Sequence, residues 1–261
     1  MFLRIHDVTT HVQIDGPQSA PVLLLLHSLG TDGRVWEPQA AALADRFRVI
    51  RPDLRGHGLS AAMPGPGSIA RLAQDTLAAL DALGVGQAHV AGLSIGGMVA
   101  QQLAAAAPGR VASLVLCDTA MAIPPPEFWR ERAAIVRARG MAAIADAVVG
   151  RWVTPASLGA AATDGLRLML LRTDPEGYAA AAEAIAAADL TTTTSHLRLP
   201  ALVMVGEADL ATPPEAAATL AAAIPGAQLV KIAGAAHIPT YEQEAAVTAA
   251  MYRFLVPETA A

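Results

Sequence analysis

HVAGLSIGGMVAQQLA, from His89 to Ala104, passes from an apolar strand-like run into an alanine-rich helical run through Gly92-Leu93-Ser94-Ile95-Gly96. A turn this short forces the corner residue, Ser94, onto strained backbone and holds its hydroxyl clear of the sheet. Glycines are needed beside it because neighbouring chain passes where a Cβ would stand. The helix that starts at Ile95 offers unpaired N–H groups and its positive dipole end to a developing anion. The stretch reads as a strand–serine–helix corner presenting a nucleophile. The plainer alternative is a tight turn and nothing more.

Working outward, short apolar runs alternate with longer helical ones. Phe2–His6 and His11–Gly16 read as a hairpin pair; Val22–His27, Phe47–Asp53, His89–Leu93, Ser113–Asp118, Ala201–Glu207 and Ala227–Ala233 read as buried strands. These last six are nearly continuous apolar runs, as a sheet covered on both faces requires. Helices are expected near Trp36–Arg46, Ile69–Leu83, Ile95–Ala106, Pro214–Ile224 and Gln243–Phe254. Alternating strand and helix means an α/β fold: a mostly parallel, eight-stranded sheet flanked by helices. The rhythm breaks between 123 and 189, where Glu127–Arg139, Met141–Trp152, Ser157–Leu171 and Pro175–Ala188 all read as helical. We read residues 123–189 as a helical lid inserted after the sixth strand, and 1–122 with 190–261 as the core. Pro124-Pro125-Pro126 makes a stiff entrance, and Thr191–Thr194 an exit with little helix preference.

The 261 residues are 54% hydrophobic and 16% charged, enough to bury a large core and too apolar for disorder. A net charge of −5 and the lack of any long basic run speak against a nucleic-acid surface. Cys117 is the only cysteine, so no disulfide forms within the chain. The start, MFLRIHDVTTHVQ, lacks the pattern of a signal peptide, and Val22–Leu26 is too short to span a bilayer. The expectation is a cytoplasmic protein with neither nucleic-acid nor membrane partners.

A serine at neutral pH needs a base. Of the seven histidines, His237 alone lies just past the last expected strand. An acid must then hold the imidazole tautomer and offset its charge. Asp209 directly follows the preceding strand, giving the order Ser94, Asp209, His237. Asp118, ending SLVLCD, is a rival acid whose plain reading is a cap on the loop into the lid; Glu207 is a weaker rival. LLLLHSLGTD turns tightly at Gly30, so the N–H groups of Leu29 and Ile95 are the expected oxyanion donors. In DLRGHGLS (Asp53–Ser60), Arg55 and His57 invite a catalytic reading, but such a loop is more often structural.

HSLG at His27–Gly30, D-x-R-G-H-G-x-S at Asp53–Ser60, GLSIGGM at Gly92–Met98, G-x-x-D-x-x-T-P-P at Gly206–Pro214 and AAH at Ala235–His237 together resemble the α/β-hydrolase family over nearly the whole chain. DPEGYAAAAEAIAAADL (Asp174–Leu190), with LVLCDTA and EADLATPP, is similar to the 3-oxoadipate enol-lactonases of the β-ketoadipate pathway of aromatic compound degradation. The resemblance implies the α/β-hydrolase fold, a serine hydrolase, and a small anionic enol-lactone opened by water with no metal or organic cofactor. An anionic substrate calls for a cation. Arg132 and Arg151, beside the lid tryptophans Trp129 and Trp152, are the candidate anchors; the plain alternative is surface pairing with Glu127 or Glu131. A carboxylesterase, or a lactonase for another small ester, fits the same triad. A non-hydrolytic protein of the same fold has no need of all three residues.

Overall fold

The computed structural model describes residues 1–256 apart from 7, 63, 64 and 66. Among them, eight strands form one sheet: β1 (Phe2–Ile5), β2 (Val8–Asp15), β3 (Val22–Leu26), β4 (Arg48–Pro52), β5 (Ala88–Leu93), β6 (Val111–Cys117), β7 (Ala201–Gly206) and β8 (Gln228–Ile232). The order is β1-β2-β4-β3-β5-β6-β7-β8. β2 runs antiparallel to β1 and β4, and every pairing from β4 to β8 is parallel.

The connections explain the layers. α1 (Glu37–Leu43) carries the chain from β3 outward to β4, and α2 (Ile69–Ala82) carries it back past β3 to β5. Right-handed crossovers in opposite directions put these helices on opposite faces. α3 (Ile95–Ala106) packs against α2 and against β3, β5 and β6. The central strands are therefore covered on both sides: Leu23–Leu26 of β3 and all of β7 are buried. β8 departs from the buried strand expected. Gln228, Leu229 and Lys231 are exposed, because among the described residues β8 is the last strand of the sheet and pairs with β7 alone.

Between β6 and β7 stand α4 (Pro126–Arg139), α5 (Ala145–Trp152), α6 (Ala161–Arg172) and α7 (Pro175–Ala187). α7 begins at a built cap: Asp174 Oδ1 accepts the N–H groups of Glu176 and Gly177, both at 2.9 Å. Its alanine face lies buried along α4, where small side chains allow close approach. Arg137 on α4 grips Glu176 and Glu183 on α7.

The threonine run holds a surprise. Thr191–Ser195 is helical (α8), against the expectation from propensity. Asp189 Oδ1 accepts the Thr191 N–H at 2.9 Å, and buried Thr194 donates its hydroxyl to Gln101 Oε1 at 2.9 Å. Tertiary bonds decide the conformation here, not intrinsic preference. α9 (Pro214–Ala223) packs on β7 and β8; α10 (Pro239–Glu242) is a single turn after His237; α11 (Glu244–Leu255) packs on α1. Among the described residues no helix is long and apolar enough to cross a membrane.

Candidate active site

The loops leaving the carboxyl ends of β3, β5, β6, β7 and β8 meet at one edge of the sheet, where open α/β sheets bind ligands. Ser94 sits there between β5 and α3 with φ 57° and ψ −118°. Backbone crowding enforces the glycines around it. A Cβ on Gly96 would stand 2.4 Å from Leu26 O, and one on Gly92 2.3 Å from Gly96 O. The corner is pinned by Ser94 N–H to Cys117 O at 3.0 Å and by the Thr119 hydroxyl to Ser94 O at 2.7 Å.

His237 follows β8, and its Nδ1 lies 2.9 Å from Asp209 Oδ2. That bond orients the ring and leaves Nε2 for chemistry. Asp209 is itself held: Oδ1 accepts from Ala211 N (2.7 Å) and Thr212 N (3.2 Å), and Oδ2 from the Thr212 hydroxyl (2.7 Å). Burial works to raise this carboxyl, but the charge and hydrogen bond of His237, with those of Thr212 and Ala211, outweigh it. The pKa falls to about 2. All three side chains are nearly enclosed, with Ser94 and His237 at 4% exposure and Asp209 at 2%.

Ser94 and His237 line a small cavity that opens to solvent. Its floor is Ser28, Leu29 and Ala211, and its roof is Phe128, Trp129, Val148, Trp152 and Tyr178 from the inserted helices. Arg132 and Arg151 complete the wall. All four expected lid residues thus face one cavity with the serine. Of the two expected oxyanion donors, Leu29 lines the cavity and Ile95 opens α3 beside Ser94. Neither backbone N–H has a partner among the described residues.

The two arginines are not paired as surface charges would be. Glu127 pairs with Arg130. The Arg132 guanidinium instead lies 4.3 Å from the Phe128 ring centroid and 3.5 Å from the Tyr178 hydroxyl. Arg151 donates to Leu210 O at 3.0 Å, 5.2 Å from the same ring. Neither has a carboxylate partner among the described residues.

The comparisons with known proteins bear directly on this arrangement. The family described as "alpha/beta hydrolase fold" matches residues 21–150, and one described as "TAP-like protein" matches 175–260. A 3-oxoadipate enol-lactonase of Acinetobacter baylyi is 34% identical over 97% of this chain and 96% of its own length. The chain belongs to the α/β-hydrolase family. The crystal structure of the enol-lactonase of Burkholderia xenovorans superposes with a TM-score of 0.95 at 41% identity, covering 98% of this chain and 99% of that one. A thermophilic esterase from Thermogutta terrifontis, with malate bound, superposes at 0.91 with 34% identity over 98% and 97%.

Several tempting residues of this hydrolase lie elsewhere. Glu207 is exposed. Arg55 is paired with Asp75 through two bonds of 2.9 Å. His57 is buried outside the cavity; burial and neighbouring His27 push its pKa down to about 3, so it stays neutral. The DLRGHGLS loop is a structural clasp, with Asp53 accepting from Gly33 N and Leu59 N, both at 2.9 Å. Asp118 is fully buried beside the Asp209–His237 pair rather than capping the lid loop. Asp118, Asp209 and His237 could offer ligand atoms to a cation, but their oxygens are already taken by N–H, O–H and S–H donors. That suits a shared proton better than a metal.

Sequence reasoning missed three contributors. Phe128 and Tyr178 complete the wall around Arg132; the lone aromatic in DPEGYAAAAEA was the available signal. Glu242 was not legible at all. Its Oε1 accepts the Thr154 N–H and hydroxyl, both at 2.7 Å, and its Oε2 the Ala236 N–H at 2.7 Å. With Ile238 N–H to Trp152 O at 2.9 Å, it ties the His237 loop to the end of α5.

Proposed function

We propose that this hydrolase opens a small anionic enol-lactone, 3-oxoadipate enol-lactone to 3-oxoadipate, through an acyl-serine intermediate. One observation carries the reading: two guanidiniums with no carboxylate partner among the described residues share a small cavity with Ser94 and His237. A cavity so lined favours a compact substrate with a carboxylate. The enol-lactonase relatives, matched end to end, supply the named lactone.

Ser94 Oγ attacks the lactone carbonyl while His237 Nε2 takes its proton. Asp209 accepts from Nδ1–H and offsets the imidazolium charge as it forms. The tetrahedral oxyanion sits against the Leu29 and Ile95 N–H groups; each such donor typically lowers the barrier by about 3 kcal/mol. Collapse breaks the ring C–O bond and frees the enol oxygen, still tethered to the acyl group on Ser94; it takes the proton from His237 and the enol tautomerises to the ketone. His237 then activates water against the acyl-serine. Arg132 and Arg151 hold the remote carboxylate throughout.

A carboxylesterase for small esters is the second reading, favoured by the similar thermophilic esterase. The deciding assay follows loss of ultraviolet absorbance of the enol-lactone beside hydrolysis of p-nitrophenyl acetate, with Ser94→Ala as control. Fast, Ser94-dependent loss of the lactone with weak ester turnover is expected. Ester turnover alone would keep the serine chemistry and discard the named substrate. If a serine-directed phosphonate leaves folded protein unlabelled at Ser94, both readings fall.

A further inference from the structure

Asp118 has no part in the chemistry above, yet it lies beneath it. It is fully buried at the end of β6 on left-handed backbone, φ 44°. A non-glycine residue pays for that conformation only where its surroundings hold it there. A carboxyl oxygen of Asp118, one of Asp209 and a ring nitrogen of His237 all lie within 4.8 Å of one another. Asp118 Oδ1 accepts the Gly206 N–H at 2.8 Å, and Oδ2 accepts from the Cys117 thiol at 3.0 Å. The titratable groups facing it are Cys117 on β6, Asp209 after β7 and His237 after β8.

Two carboxylates this close in a buried site cannot both ionise. Asp209 has the better claim to the charge, since four donors including His237 converge on it. Burial and the Asp209 charge push the Asp118 carboxyl well above the usual range.

We propose that Asp118 is a positioning residue, a neutral carboxylic acid that donates its O–H to Asp209 and keeps it a fixed, singly charged acceptor for His237. The proposal rests on His237 serving Ser94. It predicts that an amide replaces the acid well: Asn accepts from Gly206 N–H with its oxygen and donates to Asp209 with its nitrogen. Ala does neither and leaves that buried N–H unpaired.

The test has two arms. Urea unfolding of wild type and Asp118→Asn is measured from pH 5 to 8. If the folded protein holds the Asp118 proton that the unfolded chain releases, the ratio of folding constants, variant over wild type, rises by up to about tenfold per pH unit. In the second arm kcat/KM for p-nitrophenyl acetate is measured across the same range. Asp118→Asn is expected to stay within about threefold of wild type with its acidic limb unmoved, while Asp118→Ala falls about tenfold or more. A flat folding ratio overturns the neutral acid. Equal rates for Asn and Ala, whether both high or both low, overturn the positioning role. A wild type without Ser94-dependent turnover sinks the hydrolase reading alone, because unfolding reads the proton without substrate.

Discussion

Arg132→Gln removes one guanidinium from the cavity and keeps a polar side chain of similar reach. Arg132 is half-buried, and its donors are largely uncommitted, since its contact with the Tyr178 hydroxyl is 3.5 Å. A charge-assisted hydrogen bond at such a site contributes about 1.5–3 kcal/mol. Coulomb attraction at about 4 Å with an effective dielectric of about 20 sets an upper bound near 4 kcal/mol. Partial exposure favours the lower range. The substitution should therefore lower kcat/KM for the enol-lactone by about 10- to 150-fold, since about 1.4 kcal/mol is tenfold. Hydrolysis of p-nitrophenyl acetate should persist, because its acyl group carries no charge for Arg132 to meet. Salt gives a second readout. Raising ionic strength from about 0.01 to about 1 M shortens the Debye length from about 30 to about 3 Å, so wild-type lactone turnover should fall and the variant's should fall less. Stacking on Phe128 is worth about 0.5–1 kcal/mol at a site of this exposure, so a small loss of thermal stability is expected alongside. An equal loss for lactone and neutral ester, with the same salt response, would refute the anchoring role.

Asp209→Asn presents an N–H to His237 Nδ1 and stabilises the wrong tautomer, so kcat should fall by about 10⁴-fold, measured on either substrate, with the fold retained by circular dichroism. Because the folded Asp209 carboxyl lies at about 2, below its unfolded value of about 3.9, its stabilisation is present above about pH 4 and is lost as pH falls through about 2. Chemical unfolding should show wild type losing about 2 kcal/mol more than Asp209→Asn over that window. Gly96→Ala drives a Cβ to 2.4 Å from the Leu26 carbonyl in the middle of the sheet; a loss of about 3 kcal/mol or more in unfolding free energy is expected, and near-wild-type stability would show that β3 can yield. Glu242→Gln keeps an acceptor for Thr154 but turns an amide toward Ala236 N–H, so it should lower kcat through the His237 loop and raise hydrogen exchange there, with Ser94 still open to phosphonate labelling.

The chain order of strands and helices was legible because buried parallel strands need continuous apolar runs and their crossovers need helices. The G-x-S-x-G corner was legible for a harder reason: its glycines answer backbone crowding, which no other residue relieves. From these the sequence by itself determined the fold class, the serine at its corner, and a histidine and an aspartate on loops at the same edge. Tertiary structure decided the rest. It turned Thr191–Ser195 into a helix through Asp189 and Gln101, exposed β8 because no described residue pairs beyond it, and left Arg132 and Arg151 facing the cavity while Glu127 went to Arg130. It also supplied the reason that Asp209, the acid the sequence favoured, and not its rival Asp118 partners His237: four donors converge on Asp209, while Asp118 is buried against its charge. Local pattern carries what one segment must do to fold; the partner of a charge depends on which loops meet in space, and that distance is set only when the whole sheet closes.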